Sequence, residues 1–165
     1  RHARALAALS DHIGAKHVLE LGTCLGITSA YLAPHVETVT TIEGNSVLAQ
    51  RAQKIWSRLG LLNIQCIAGA FDEVVPTLPV QEYDLIFIDG NHRGEALIRY
   101  VNALAPRLSA KGIIVCDDIH WSTDMEAAWN ALRQENRWTL KVDFYEWGLL
   151  TANSDLAREF HSIRF

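Results

Sequence analysis

Long apolar runs, a paired set of cysteines and excess positive charge are all missing from this sequence. No apolar run approaches the roughly 20 residues of a membrane-spanning helix and no signal peptide is visible, so we expect no membrane association. Cys24, Cys66 and Cys116 are an odd number and lie far apart, which disfavours a disulfide framework and favours a reducing, cytoplasmic location. The net charge is −4, so we expect no nucleic-acid partner bound through bulk charge.

What the sequence does contain is the composition of a globular protein. Its 165 residues are 49% hydrophobic and 21% charged, which provides enough apolar material for a buried core and argues against disorder. No internal repeat, low-complexity segment or linker interrupts the chain, so residues 1–165 are predicted to form a single domain. The first residue is Arg1 rather than Met, so we expect that an N-terminal segment is missing.

Short apolar segments alternate with amphipathic ones over most of the chain. Five apolar runs are typical of parallel strands buried on both faces, at residues 18–21, 39–42, 64–68, 85–88 and 113–116. Helical patterns occur at residues 27–33, 46–59, 72–78, 95–108 and 124–134, and three later strands at 138–145, 148–152 and 160–165. This order predicts an α/β fold with a doubly wound, mostly parallel, seven-stranded Rossmann-like sheet and an antiparallel strand near the C-terminus.

A turn with two glycines follows the first predicted strand. Gly22 and Gly26 allow the backbone to turn sharply and bring a ligand close to the start of the next helix. Their G-x-x-x-G spacing lacks the third glycine of dinucleotide sites, which disfavours an NAD-dependent enzyme. The second strand ends at Glu43, whose carboxylate can accept both hydroxyl groups of a ribose. The spacing alone also occurs in tight packing, but the whole order of strand, turn, helix, strand and acid predicts a nucleoside-type ligand.

Residues 20–26, Glu-Leu-Gly-Thr-Cys-Leu-Gly, resemble motif I of class I S-adenosylmethionine-dependent methyltransferases, and residues 42–44 resemble their acid-ended second strand. The resemblance covers nearly the whole chain and is closest to small-molecule O-methyltransferases of the catechol O-methyltransferase type. Residues 118–129 also resemble a related bacterial subgroup of methyltransferases. The resemblance implies an S-adenosylmethionine site formed by Glu20, Gly22, Thr23, Gly26, Thr28, Glu43, Gly44, Gly69, Ala70, Phe71 and Asp89.

The same resemblance assigns parts of the cofactor to parts of this site. The glycine turn would lie alongside the methionine portion of the cofactor, and Thr28 would lie near the methionine carboxylate. Glu43 would hold the ribose, and residues 69–71 would border the adenine. Glu20 would help to order the turn, unless it is only a strand-end acid satisfied by backbone amides.

Three carboxylates follow two predicted strands that should be neighbours: Asp89 after one, and Asp117 and Asp118 after the other. Three anions brought together require a cation or bound protons, and oxygen ligands suit Mg²⁺ or another divalent cation. The catechol-type enzymes hold a cation at these strand ends, although with an Asp-Asn pair instead of two Asp residues. The alternative is that Asp89 receives only the cofactor ammonium while the Asp pair caps a helix or turn.

His92 and Asp89 are the predicted catalytic residues. His92 lies where the catechol-type enzymes carry a Lys as general base, and an imidazole can take a proton near neutral pH. A loop histidine can equally be a surface or helix-cap residue. His120 and Trp121 are candidates for the wall of an acceptor pocket, with packing as the alternative for Trp121.

Together these patterns predict methyl transfer to a small-molecule acceptor, most simply to a hydroxyl group, with a divalent cation assisting. The alternatives are a metal-independent N- or C-methyltransferase and a non-catalytic cofactor-binding module. The aromatic ending, residues 147–165, leaves a homo-oligomer interface open.

Overall fold

Helices and strands alternate along the computed structural model, which describes residues 2–164. The helices are α1 (His2–Ile13), α2 (Ile27–Leu32), α3 (Ser46–Leu59), α4 (Phe71–Val74), α5 (Gly94–Leu104) and α6 (Thr123–Gln134). The strands are β1 (His17–Leu21), β2 (Thr38–Glu43), β3 (Ile64–Ala68), β4 (Tyr83–Ile88), β5 (Leu108–Asp117), β6 (Leu140–Asp143), β7 (Trp147–Thr151) and β8 (Glu159–Ser162).

The strands form one sheet in the order β3-β2-β1-β4-β5-β7-β6-β8. This confirms the predicted α/β class and the mostly parallel sheet with antiparallel pairing near the C-terminus. Within residues 2–164 the sheet has eight strands rather than seven, because β8 adds a parallel edge strand beside β6. The chain divides into two compact units whose boundary, between Leu85 and Ile86, lies inside β4.

In the first unit β1, β2 and β3 are parallel; β1 is deeply buried, whereas β3 is only partly buried, contrary to the burial on both faces predicted for residues 64–68. β1 pairs with β2 and β2 with β3, so that Val18 lies opposite Val39, and Val39 opposite Ile64. Residues 18–21 are at most 1% exposed, which is the burial expected of a strand covered on both faces.

In the second unit β7 is the antiparallel strand. It pairs with β5 on one side and β6 on the other, so that Leu149 lies opposite both Val115 and Val142. A Cβ atom on Gly148 would lie 2.5 Å from the Trp129 ring of α6, so strand and helix approach closely at this glycine. None of the helices within residues 2–164 combines the length and hydropathy that a bilayer crossing requires.

Helix ends follow local chemistry. α3 has the predicted bounds because the Asn45 side chain accepts hydrogen bonds from the amides of residues 47 and 48, and Gly60 ends the helix in the left-handed region. α5 ends at Leu104 rather than at the predicted residue 108. A short 3₁₀ turn, Ala105–Arg107, follows it because Pro106 has no N–H with which to continue the helix.

Candidate active site

The glycine loop, residues 22–26, connects β1 to α2 in the first unit. Three of its residues have left-handed backbone: Gly22 (φ 108°), Cys24 (φ 50°) and Gly26 (φ 74°). The Gly22 amide donates to the carbonyl of Ile42 in β2, and the Gly26 amide donates to the Thr23 carbonyl at 2.7 Å. The loop is therefore a tight turn held both to itself and to the neighbouring strand.

Glu43, the acid at the end of β2, is bound directly to this loop. Its Oε2 accepts a hydrogen bond from the Cys24 amide at 2.8 Å, and its Oε1 accepts one from the Asn45 amide at 2.8 Å. The residue is only half-buried, so its carboxylate has both a fixed orientation and access to a ligand. The predicted loop and the predicted acid thus meet in space.

Beneath the loop lies a buried network centred on Glu20, which is 1% exposed. The Glu20 carboxylate accepts hydrogen bonds from the hydroxyls of Ser29 and Thr41. The Thr41 hydroxyl in turn lies 2.6 Å from the Thr23 hydroxyl in the loop. Glu20 is thereby connected to the loop through side chains rather than through backbone amides alone.

The remaining predicted cofactor residues of the first unit surround these elements. Thr28 lies in the first turn of α2, and Gly44 is exposed directly after β2. A Cβ atom on Gly44 would meet nothing within 4 Å, whereas one on Gly69 would lie 2.7 Å from Val74. Ala70 caps the short helix that begins at Phe71.

Asp89 and Asp117 of the second unit are hydrogen-bonded to each other. Burial, the charge and hydrogen bond of Asp89, and the charge of Asp118 raise the pKa of Asp117 to about 7. Burial also raises the pKa of Asp89, and the charge of Asp118 adds to this effect. A carboxyl pair of this kind shares a proton near neutral pH.

His92 lies between two of these acids. Its Nε2 is 3.8 Å from Asp89 Oδ1 and its Nδ1 is 3.7 Å from Asp118 Oδ2. Both Asn91 (φ 54°) and Asp118 (φ 56°) have left-handed backbone, and Asn91 Nδ2 donates to the Tyr100 hydroxyl at 2.9 Å. Such backbone in non-glycine residues is uncommon and is often found at functional sites.

The predicted metal set, Asp89, Asp117 and Asp118, does not have the geometry of a metal site. Within residues 2–164 no three carboxyl, imidazole or thiol groups are arranged to hold a metal ion. Asp89 and Asp117 form a hydrogen-bonded carboxyl pair, and Asp118 Oδ2 lies 3.7 Å from His92 Nδ1. A divalent cation at Asp89, Asp117 and Asp118 therefore stays a prediction.

His120 belongs to a buried network around Asp143, a residue that the sequence patterns did not single out. Asp143 Oδ2 accepts hydrogen bonds from His120 Nε2 at 3.0 Å and from Trp129 Nε1 at 3.1 Å. Asp143 Oδ1 accepts them from the Tyr145 amide and from Arg164 Nη1, each at 2.9 Å. Burial raises the pKa of Asp143, but the hydrogen bonds from His120, Tyr145 and Trp129 outweigh burial, so the net shift of the pKa is downward.

Trp121 differs from its neighbour His120 because it is 73% exposed and therefore does not pack in the core. Trp56 is a second residue that the sequence patterns missed. It lies on α3, is 2% exposed, and donates its indole N–H to the Gly26 carbonyl at 2.8 Å. No local pattern could identify it, because it is 30 residues away from the loop that it contacts.

Comparison with known proteins gives a consistent family. Residues 19–119 match the sequence profile of a family described as a methyltransferase domain. Catechol O-methyltransferase from Mycobacterium tuberculosis (strain ATCC 25618 / H37Rv) is 30% identical over 119 residues, which cover 69% of this chain and 53% of that relative. The chain spans about half or less of the length of the curated relatives that it matches.

Solved structures share the fold. An O-methyltransferase from Bacillus cereus in complex with S-adenosylhomocysteine matches with a TM-score of 0.77 and 19% identity, over 90% of this chain and 79% of the other. The O-methyltransferase TomG from Streptomyces achromogenes, in complex with S-adenosylmethionine, matches with a TM-score of 0.77 and 19% identity, over 90% and 78%.

Proposed function

The chain belongs to the methyltransferase domain family, and from this premise we propose that it transfers the methyl group of S-adenosylmethionine to a hydroxyl group of a small molecule. The observation that carries the proposal is the bond between the glycine loop and Glu43. It orients a partly accessible carboxylate beside a tight turn, an arrangement suited to a ribose and the chain attached to it.

In this proposal the first unit binds the cofactor. Glu43 accepts hydrogen bonds from the ribose hydroxyls. The loop residues Gly22, Thr23 and Gly26 lie alongside the methionine portion. Thr28 lies near its carboxylate, and Gly44 leaves open space next to the acid because no atom lies within 4 Å of its missing side chain. Residues 69–71 border the adenine, and Glu20 holds the loop through Thr41 and Thr23.

In the second unit Asp89 and His92 provide acid–base chemistry. The cofactor's sulfonium makes its methyl group electrophilic, so the protein has to align the acceptor and remove its proton. His92 lies between Asp89 and Asp118, with its Nε2 3.8 Å from Asp89 Oδ1 and its Nδ1 3.7 Å from Asp118 Oδ2, so the ring is placed among acidic groups. His92 would take the hydroxyl proton as the oxygen–carbon bond forms and the sulfur–carbon bond breaks.

We assign no step to a divalent cation, because the three carboxylates are not arranged as ligands. Oxygen donors of this type are nevertheless the ligands that Mg²⁺ prefers. Metal dependence is therefore tested separately, by titration with Mg²⁺ and with a chelator. The alternative that this test can support is a metal-independent methyltransferase.

The test of cofactor binding is calorimetric titration with S-adenosylhomocysteine. We expect wild-type protein to bind, and Glu43→Gln to weaken binding about tenfold or more because charge-assisted hydrogen bonds to the ribose are lost. Glu37→Gln is the matched control, since Glu37 is exposed and pairs only weakly with Lys16 at 3.1 Å. No binding by the wild type, or equal effects of the two variants, would contradict the proposal.

The titration is repeated with Mg²⁺ and with a chelator. A change in the affinity for S-adenosylhomocysteine, or a separate heat of Mg²⁺ binding, would support uptake of the ion by the carboxyl groups of Asp89, Asp117 and Asp118. Identical results in both conditions would favour cofactor binding that needs no metal.

Two wider expectations form part of the proposal. We place the protein in the cytoplasm, because Cys24, Cys66 and Cys116 are all free thiols. We also propose that residues 1–165 act as one domain, because the boundary between the two compact units falls within a single strand.

A further inference from the structure

We propose that Trp56 is a positioning residue of the cofactor site, which holds the glycine loop from behind; this inference rests on the proposed function. The Trp56 indole N–H donates to the Gly26 carbonyl at 2.8 Å, and the indole is almost fully buried. The same carbonyl accepts the Ala30 amide in the first turn of α2 at 3.0 Å. With two donors on one oxygen, the Gly26 peptide cannot rotate without losing both hydrogen bonds.

The space around Gly26 is also limited by Trp56. A Cβ atom on Gly26 would lie 2.5 Å from Cζ2 of the Trp56 indole, far inside contact distance. Gly26 also has a φ of 74°, which disfavours other residues. The close approach at Gly26 is therefore an approach to the protein's own indole, so this glycine and Trp56 form a matched pair.

The two ends of helix α3 restrain two points of the loop, its middle residue Cys24 and its last residue Gly26. At its start, Asn45 caps the helix and donates its amide to Glu43, which in turn accepts the Cys24 amide. In its last turn, α3 presents Trp56 to Gly26. One rigid helix thus fixes the acid and the far end of the loop in a single arrangement.

A loop that already has its binding conformation loses little entropy when the cofactor binds. Without the Trp56 hydrogen bond the Gly26 peptide gains other orientations. The apparent affinity then falls by the fraction of molecules that are no longer competent to bind.

The test is Trp56→Phe, which removes the indole N–H and keeps an aromatic ring. We expect the Kd for S-adenosylhomocysteine to rise about fivefold, the effect of one buried hydrogen bond. Trp138→Phe is the matched control: Trp138 is 1% exposed and its indole N–H has no hydrogen-bond partner within residues 2–164. It should lower the Tm while leaving the Kd unchanged.

A Kd for Trp56→Phe within about twofold of wild type, with a Tm lowered as in Trp138→Phe, would show that Trp56 only packs and would overturn the proposal. Should Trp56→Phe not fold, benzothienylalanine at position 56 gives the same test, because sulfur replaces the N–H in a ring of nearly the same shape. Absence of binding by the wild type would instead overturn the proposed function on which this inference depends.

Discussion

At the scale of single residues, Asp143 illustrates how a buried carboxylate organises its surroundings. It is 5% exposed and receives hydrogen bonds from His120 and Trp129 on one oxygen and from Tyr145 and Arg164 on the other. The hydrogen bonds from His120, Tyr145 and Trp129 keep its pKa below the usual value in spite of burial. Because the folded-state pKa is lowered, the ionised carboxylate stabilises the fold above the unfolded-state pKa of about 3.9 and loses that effect as the pH falls through the folded-state pKa.

Asp143→Asn should therefore lower the free energy of unfolding by about 2 kcal/mol at pH 7, because the hydrogen bonds lose their charge. The difference from wild type should shrink as the pH is lowered below about 4. Denaturant unfolding between pH 7 and pH 3 measures both quantities. Asp155→Asn is the control: Asp155 pairs with Lys111 at the exposed surface, so its effect on stability should be much smaller than that of Asp143→Asn. A difference that does not depend on pH would show that the charge of Asp143 is unimportant.

The three carboxyl groups of Asp89, Asp117 and Asp118 could be located from the sequence, but their interactions could not. The sequence places Asp89, Asp117 and Asp118 at strand ends, and the structure brings Asp89 and Asp117 into a hydrogen bond. Whether a cation or a proton neutralises such acids depends on distances of a few tenths of an ångström and on burial. Neither quantity is encoded in local spacing, which is why both readings were open from the sequence.

At the scale of elements, apolar runs located the strands, and pairing decided their ends. The run at 113–116 became β5, which extends from Leu108 to Asp117. Its first half, residues 108–112, is Leu-Ser-Ala-Lys-Gly and contains no continuous apolar run, so hydrophobicity could not predict it. No pattern predicted α1 either, in which Leu6, Ala7 and Ser10 are buried and most other residues are exposed.

The packing of β7 against α6 depends on Gly148. Gly148→Ala would place a Cβ atom 2.5 Å from the Trp129 ring, and the resulting overpacking should cost about 1–3 kcal/mol of stability. Gly44→Ala is the control for stability, because nothing lies within 4 Å of that position. Denaturant unfolding of the two variants measures the difference. An equal effect would mean that strand and helix separate at little cost.

At the scale of the whole molecule, the predictable part of the site was the part that is contiguous in sequence. The glycine loop and Glu43 belong to consecutive elements, so their meeting follows from a parallel β-α-β unit. The contact of Trp56 with Gly26 and the donors gathered around Asp143 join residues from separate elements. Such contacts depend on how whole elements pack, and this packing cannot be read from the local patterns of a single sequence.

The position of the unit boundary also leads to a prediction about cooperativity. Because the boundary lies inside β4, one unit cannot unfold alone without also disrupting the strand that continues into the other unit. We therefore expect thermal unfolding in a single transition, with the same midpoint by near-UV and far-UV circular dichroism. Saturating S-adenosylhomocysteine, at 100 times its Kd, should stabilise the folded state by about 2.7 kcal/mol and raise that midpoint as one step. Two transitions, of which the ligand moves only one, would show that the units unfold independently and would contradict the proposal of a single domain.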